Sequence, residues 1–169
     1  MNQTPSDPIW RVLTQVFSLM LQHLDDFIIF QTHTSQHRGY GPYVQIAHHE
    51  SGCIVIEAVS NHYLEPKMDE KSIQTLVAMG WMPPDVPNGE TNFFRHISYE
   101  EFSSDKTAEF FVTTLQQAYQ INEDDTIEIE PIEVFQEVFA LTYGRSIDGR
   151  FTPRELYQLV ISQTGRQDH

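Results

Sequence analysis

Leu76-Val77-Ala78-Met79-Gly80-Trp81-Met82-Pro83-Pro84, followed by Asn92-Phe93-Phe94-Arg95, is the stretch whose reading decides the fold. Its first residues end a helix, and Gly80 supplies the left-handed stop that helices favour at their C-termini. Pro83, Pro84 and Pro87 prevent a helix or a central strand between Trp81 and Gly89, since proline lacks the backbone donor both require. Asn92 to Ile97 then reads as a strand. The unit carries no nucleophile, no metal cluster and no phosphate loop. It reads as part of a binding module.

Upstream, Asp69 caps the helix that runs to Met79, with Ile73, Leu76 and Val77 facing inward. The first helix of the chain is equally legible. Asp7 caps it, Pro8 suits its first position, and Ile9, Trp10, Leu13, Val16, Phe17, Met20, Leu21 and Leu24 recur at helical spacing. Phe27 to Phe30, Tyr43 to Ala47 and Cys53 to Val59 read as strands of an antiparallel meander, with a tight hairpin at Glu50-Ser51-Gly52. The third strand is apolar on nearly every residue, which predicts a central strand covered on both faces. Downstream of the deciding stretch, Ser98-Tyr99-Glu100-Glu101 forms a capping box for a helix to about Tyr119. Thr126 to Glu130 alternates like an edge strand or extended linker. Pro131 starts a helix to about Tyr143, and Thr152-Pro153-Arg154-Glu155 is a capping box opening a last helix to about Ser162.

This order predicts an α+β sandwich, α-β-β-β-α-β-α, with helices packed on one antiparallel sheet and a C-terminal helical appendage. The expected division is a domain over residues 1–122, then an acidic linker and two-helix appendage over 123–169. Together with Gly80-Trp81, the prolines and Asn92-Phe93 opening a strand, the order resembles the YbjN-like branch of the type III secretion chaperone-like superfamily (TY-Chap domains). The resemblance covers about residues 8–119. It implies a non-enzymatic, often dimeric domain that holds an extended segment of a client protein against apolar grooves.

Composition narrows the function further. The 169 residues suffice for one domain with a real core. A net charge of −14 removes the electrostatic footprint that binding to nucleic acid or an anionic membrane surface requires. From Thr107 to Gly144 there is no Lys or Arg, while acidic residues accumulate, an ordinary solvated face. No apolar run reaches the roughly 20 residues that span a bilayer. The N-terminus lacks the basic start of a cleavable signal. The single cysteine, Cys53, lies in an apolar strand and reads as a small core hydrophobe. These features suggest the cytoplasm.

Three further constellations bear on chemistry. Eight histidines invite a metal, but His33 and His37 lie in a turn, and the adjacent His48 and His49 point to opposite faces of a strand. Gly144 to Glu155 partly matches a calcium loop, with Asp148-Gly149 and Glu155 in place but Gly144 at the first ligand position. It reads more simply as a helix-turn-helix corner. His96 beside a carboxylate is the one hint of acid–base chemistry, with nothing in the sequence to fix its geometry.

The expectation is therefore a cytoplasmic protein-binding module with no cofactor, no metal and no catalytic residue. Its partner is a client protein of unknown identity, with homodimerisation a further expectation. Trp10, Phe17, Trp81 and Phe93 are the expected partner contacts, although Trp81 equally suits a lid packed against Phe93. The alternatives are a calcium-responsive interaction protein built on residues 144–155 and an enzyme of unknown chemistry.

Overall fold

The computed structural model describes residues 7–37 and 39–164. Its elements are α1 (Pro8–Leu21), β1 (Phe27–His33), β2 (Tyr43–His49), β3 (Cys53–Ala58), α2 (Glu70–Met79), β4 (Phe93–Ile97), α3 (Ser104–Gln117), β5 (Thr126–Glu130), α4 (Ile132–Tyr143), β6 (Arg150–Phe151) and α5 (Pro153–Thr164). The six strands form one sheet in the order β4-β3-β2-β1-β5-β6, with every neighbouring pair antiparallel. The fold is α+β, as expected.

One face of the sheet is sealed by helices. Ile28 and Phe30 of β1, Val44 and Ile46 of β2, Ile54 and Ile56 of β3, and Ile127 and Ile129 of β5 are buried there with the apolar stripe of α1. Phe17 of α1 stacks on Phe30 at 3.9 Å between ring centroids, and Phe111 of α3 meets Phe30 edge-on at 5.7 Å. Burial of large side chains on this scale is the main stabilising term of the domain. The opposite face is only partly covered. Cys53, Val55 and Glu57 alternate there with the buried residues of β3, so that strand is central but fully covered on one face alone.

The capping residues act largely as the sequence suggests. Asp7 accepts from the Ile9 N–H, Asp69 from Ser72, and Thr152 from Glu155. Ser98 differs. Its hydroxyl and carbonyl close a turn with Glu101, and the helix begins only after Ser103, whose side chain accepts from the Lys106 N–H. Ser103 lies nearer the apolar run, so it captures the first turn.

The segment after Asn122 continues the same sheet and core. β5 is an internal strand between β1 and β6 rather than an edge or linker. Phe135, Phe139, Phe151 and Leu156 belong to the one hydrophobic cluster that contains α1 and β1, and α5 packs on α1.

Candidate functional site

The deciding stretch folds into a Schellman-type stop. Gly80 takes φ 106°, its N–H donates to the Val77 carbonyl, and the Trp81 N–H donates to Leu76. This turns the indole into the core, where Trp81 stacks on Phe110 at 4.9 Å and donates from Nε1 to Thr114 Oγ1 at 3.1 Å. Trp81 is therefore a buried lid, but its ring and hydrogen-bond partners are Phe110 and Thr114 of α3, where the sequence reading set it against Phe93. Asn92 has a matching task. Its buried Oδ1 accepts from the Ser60 N–H, and its Nδ2 donates to Tyr43 Oη, tying the start of β4 to the end of β3.

With the indole turned inward, the prolines are left to form a wall. Met68, Ile73, Val77, Pro83, Pro84, Val86 and Phe93 line a surface groove of about 480 Å³, with Ser60, Asn61, His62, Lys67 and Thr91 at its polar end. Val77 is 47 % exposed and Val86 57 %, and neighbouring Met82 is 54 % exposed. The sequence placed Val77 inward. On α2 only Leu76 is fully buried, because the helix rides at the edge of the sheet and shows Val77 to solvent. The walls are braced by hydrogen bonds. Asn61 exchanges two with the Met68 backbone, and Asp85 exchanges two with the Glu90 backbone.

The groove borders an edge of the sheet. β4 is terminal, and its outer side is covered by a single bridge in which Phe94 and Met82 exchange N–H···O bonds of 2.9 and 3.1 Å. A second depression of about 370 Å³, lined by Ile29, Tyr40, Tyr43, Val59, Tyr63 and Leu64, adjoins it through the 60–64 loop. Burial pushes the Tyr43 hydroxyl above its usual range, against the opposing hydrogen bond from Asn92.

All four aromatics expected to touch a partner are buried, because each one fills the space between sheet and helices. Phe17 and Trp81 lie fully in the core. Phe93 forms part of the groove floor, and Trp10 borders a separate polar depression of about 720 Å³ with Gln116, Gln117, Asn122, Glu123 and Asp124. The exposed lining, Val77, Pro83 and Val86, escaped the sequence reading. For Pro83 and Val86 the one signal was an apolar residue in a proline-rich turn, and for Val77, on α2, there was none.

In the 144–155 loop, Ser146, Asp148 and Glu155 are exposed, and among the described residues no group of three acidic side chains converges there. Arg154 reaches instead to Glu123 and Asp124, which accounts for part of the acidic run. His96 Nε2 stands 4.0 Å from Glu90 Oε1, too long for a hydrogen bond that would orient a base. Cys53 is not a core residue. It lies half-exposed on the uncovered sheet face, 3.5 Å from His96 Nδ1. Among the described residues no helix is long and apolar enough to cross a membrane.

A sequence model of one family, described as T3SS (YopN, CesT) and YbjN peptide-binding chaperone 3, matches residues 4–131. The matched span extends beyond the 8–119 of the sequence resemblance and takes in β5. No curated protein and no solved structure matches the chain.

Proposed function

The chain belongs to the TY-Chap3 family of T3SS and YbjN peptide-binding chaperones, and from that premise we propose that it holds an extended client segment in the groove beside β4. The observation that carries this reading is the apolar lining, exposed at Val77, Pro83 and Val86 and half-buried at Met68 and Pro84, set against a nearly bare sheet edge. Apolar side chains of a client fill the groove, while its backbone extends β4. Phe93 forms the floor. Trp81, Phe17 and Trp10 act from behind, by holding α2, α1 and α3 in place.

The client has a definable chemistry. With 24 acidic residues against 10 basic ones, the chain repels acidic partners. The preferred segment is apolar with a basic flank. The acidic exterior keeps the free protein dispersed in the cytoplasm until the groove is filled. The protein performs no catalysis, and a second copy of the chain is the competing occupant of the same groove.

A peptide array tests the proposal. Overlapping host-proteome peptides are probed with wild-type protein, with Val77→Asp/Val86→Asp, and with Leu141→Asp as a control on α4, whose Leu141 is 81 % exposed. Wild type and control should select the same apolar, basic peptides, and the groove variant should bind them at least ten-fold more weakly. Equal binding by the groove variant overturns the assignment. Dimerisation of the wild type that the groove substitutions abolish, with no peptide bound, assigns the groove to a second copy.

A further inference from the structure

We propose that His49, Cys53 and His96 form a binding site for a borderline-soft divalent ion of the zinc class, independent of the client groove. The sheet register creates the site. His49 of β2 lies opposite Cys53 of β3, and His96 of β4 lies opposite Val55, two residues along from Cys53. Residues paired across strands share a face, as do residues two apart, so all three side chains project from the uncovered side. One ligand atom from each lies within 4.8 Å of the other two.

Zinc bonds of roughly 2.0–2.3 Å need ligand atoms somewhat closer together than this. Small side-chain rotations close the difference, because the strands already hold the backbones in place. A thiolate with two imidazoles suits Zn²⁺ and disfavours Mg²⁺ and Ca²⁺, which take oxygen ligands.

The surrounding groups are those a metal site uses. The Nδ1 of His49 accepts from the Ser51 N–H at 3.1 Å and lies 2.7 Å from Ser51 Oγ, and Nε2 becomes the ligand atom when its proton passes to Nδ1, where Ser51 Oγ accepts the hydrogen bond. The Nε2 of His96 faces Glu90, which leaves Nδ1, the atom beside Cys53 Sγ, as its ligand. The Ser51 hydroxyl behind His49 orients that ring, while Glu90, 4.0 Å from His96 Nε2, favours the proton on Nε2 by its charge rather than by a hydrogen bond. Three protein ligands leave a fourth position open to water. Binding displaces the Cys53 thiol proton to solvent and ties the β2–β3 hairpin to edge strand β4.

The test uses the full untagged chain, stripped with a chelator and titrated with Co²⁺ alone. One Co²⁺ per chain should bind with a thiolate-to-cobalt charge-transfer band, and Zn²⁺ should displace it. Cys53→Ser should abolish the band. His49→Ala and His96→Ala should each weaken affinity at least ten-fold, and Glu90→Gln by about ten-fold or more. His48→Ala, which alters the opposite face of the same strand, should leave affinity unchanged. Zn²⁺ should raise the Tm of the wild type and not that of Cys53→Ser, whose own unfolding transition reports that it is folded. Cobalt binding without the thiolate band, or with unchanged affinity in Cys53→Ser, overturns the site and assigns the ion to surface histidines.

Discussion

At Gly80 the backbone takes φ 106°, and a Cβ built there meets only Arg95 Nη1, at 3.8 Å. Space is available for a methyl group, so the cost of Gly80→Ala is conformational. It should be about 1–2 kcal/mol, the usual penalty for an L-residue in the left-handed region. Urea unfolding checks this, and a substitution without effect would show that α2 does not need its stop. The same residue illustrates what sequence can reveal. Gly80, the caps Asp7 and Asp69 and the turn prolines act through their own backbone geometry, so they were legible. Trp81 was legible as a lid but not as a donor to Thr114, since that partner lies on α3 and only the tertiary fold brings it near. Cys53 misled. An apolar neighbourhood along the chain says nothing about which face of a strand a side chain occupies until the register is fixed.

Apart from β6, which the sequence reading took as part of a helix-turn-helix corner, strands and helices were read in the right order because period and punctuation are local. Placement in the sheet was not local. β5 alternates as an edge strand would, yet pairs with β1 on one side and β6 on the other. Its Glu128 is tolerated near the interior because Arg150 and His33 reach it. Similarly, β3 reads as covered on both faces although its Glu57 lies on the uncovered one. Burial raises the Glu57 pKa above the ordinary carboxylate range, the Gln45 hydrogen bond opposes this, and Glu90 adds to it. A carboxyl with a raised folded-state pKa favours the fold while protonated. That stability is complete below the unfolded carboxylate pKa, about 4.3, and is lost as pH rises through the higher folded value. Glu57→Gln should therefore flatten the weakly acidic part of the stability curve and raise Tm at pH 7 relative to wild type. Parallel Tm–pH curves for the two proteins would contradict this account.

Across the whole molecule, the arrangement divides labour between two sides. One sheet face is closed by helices around a single core, and that core sets α2 and the proline turn rigidly beside β4. What remains outside is an apolar groove in a protein carrying −14 net charge. The family was legible from the deciding stretch because its glycine, tryptophan, prolines and Asn-Phe pair are structural requirements of that corner. The exposed lining was not, because the residues that fold a groove are better marked in sequence than those that face into it. Val77 looked like core until the edge position of α2 was known.

Site-directed photo-crosslinking reads occupancy of the groove directly. A benzophenone amino acid is placed at Val86 in one protein and at Leu141 in another, and both are irradiated in host cells. The account predicts a discrete polypeptide joined at Val86, absent at Leu141, and mapped on its own side to an apolar segment with a basic flank. Crosslinks of equal yield at both positions, or none at Val86, would contradict it.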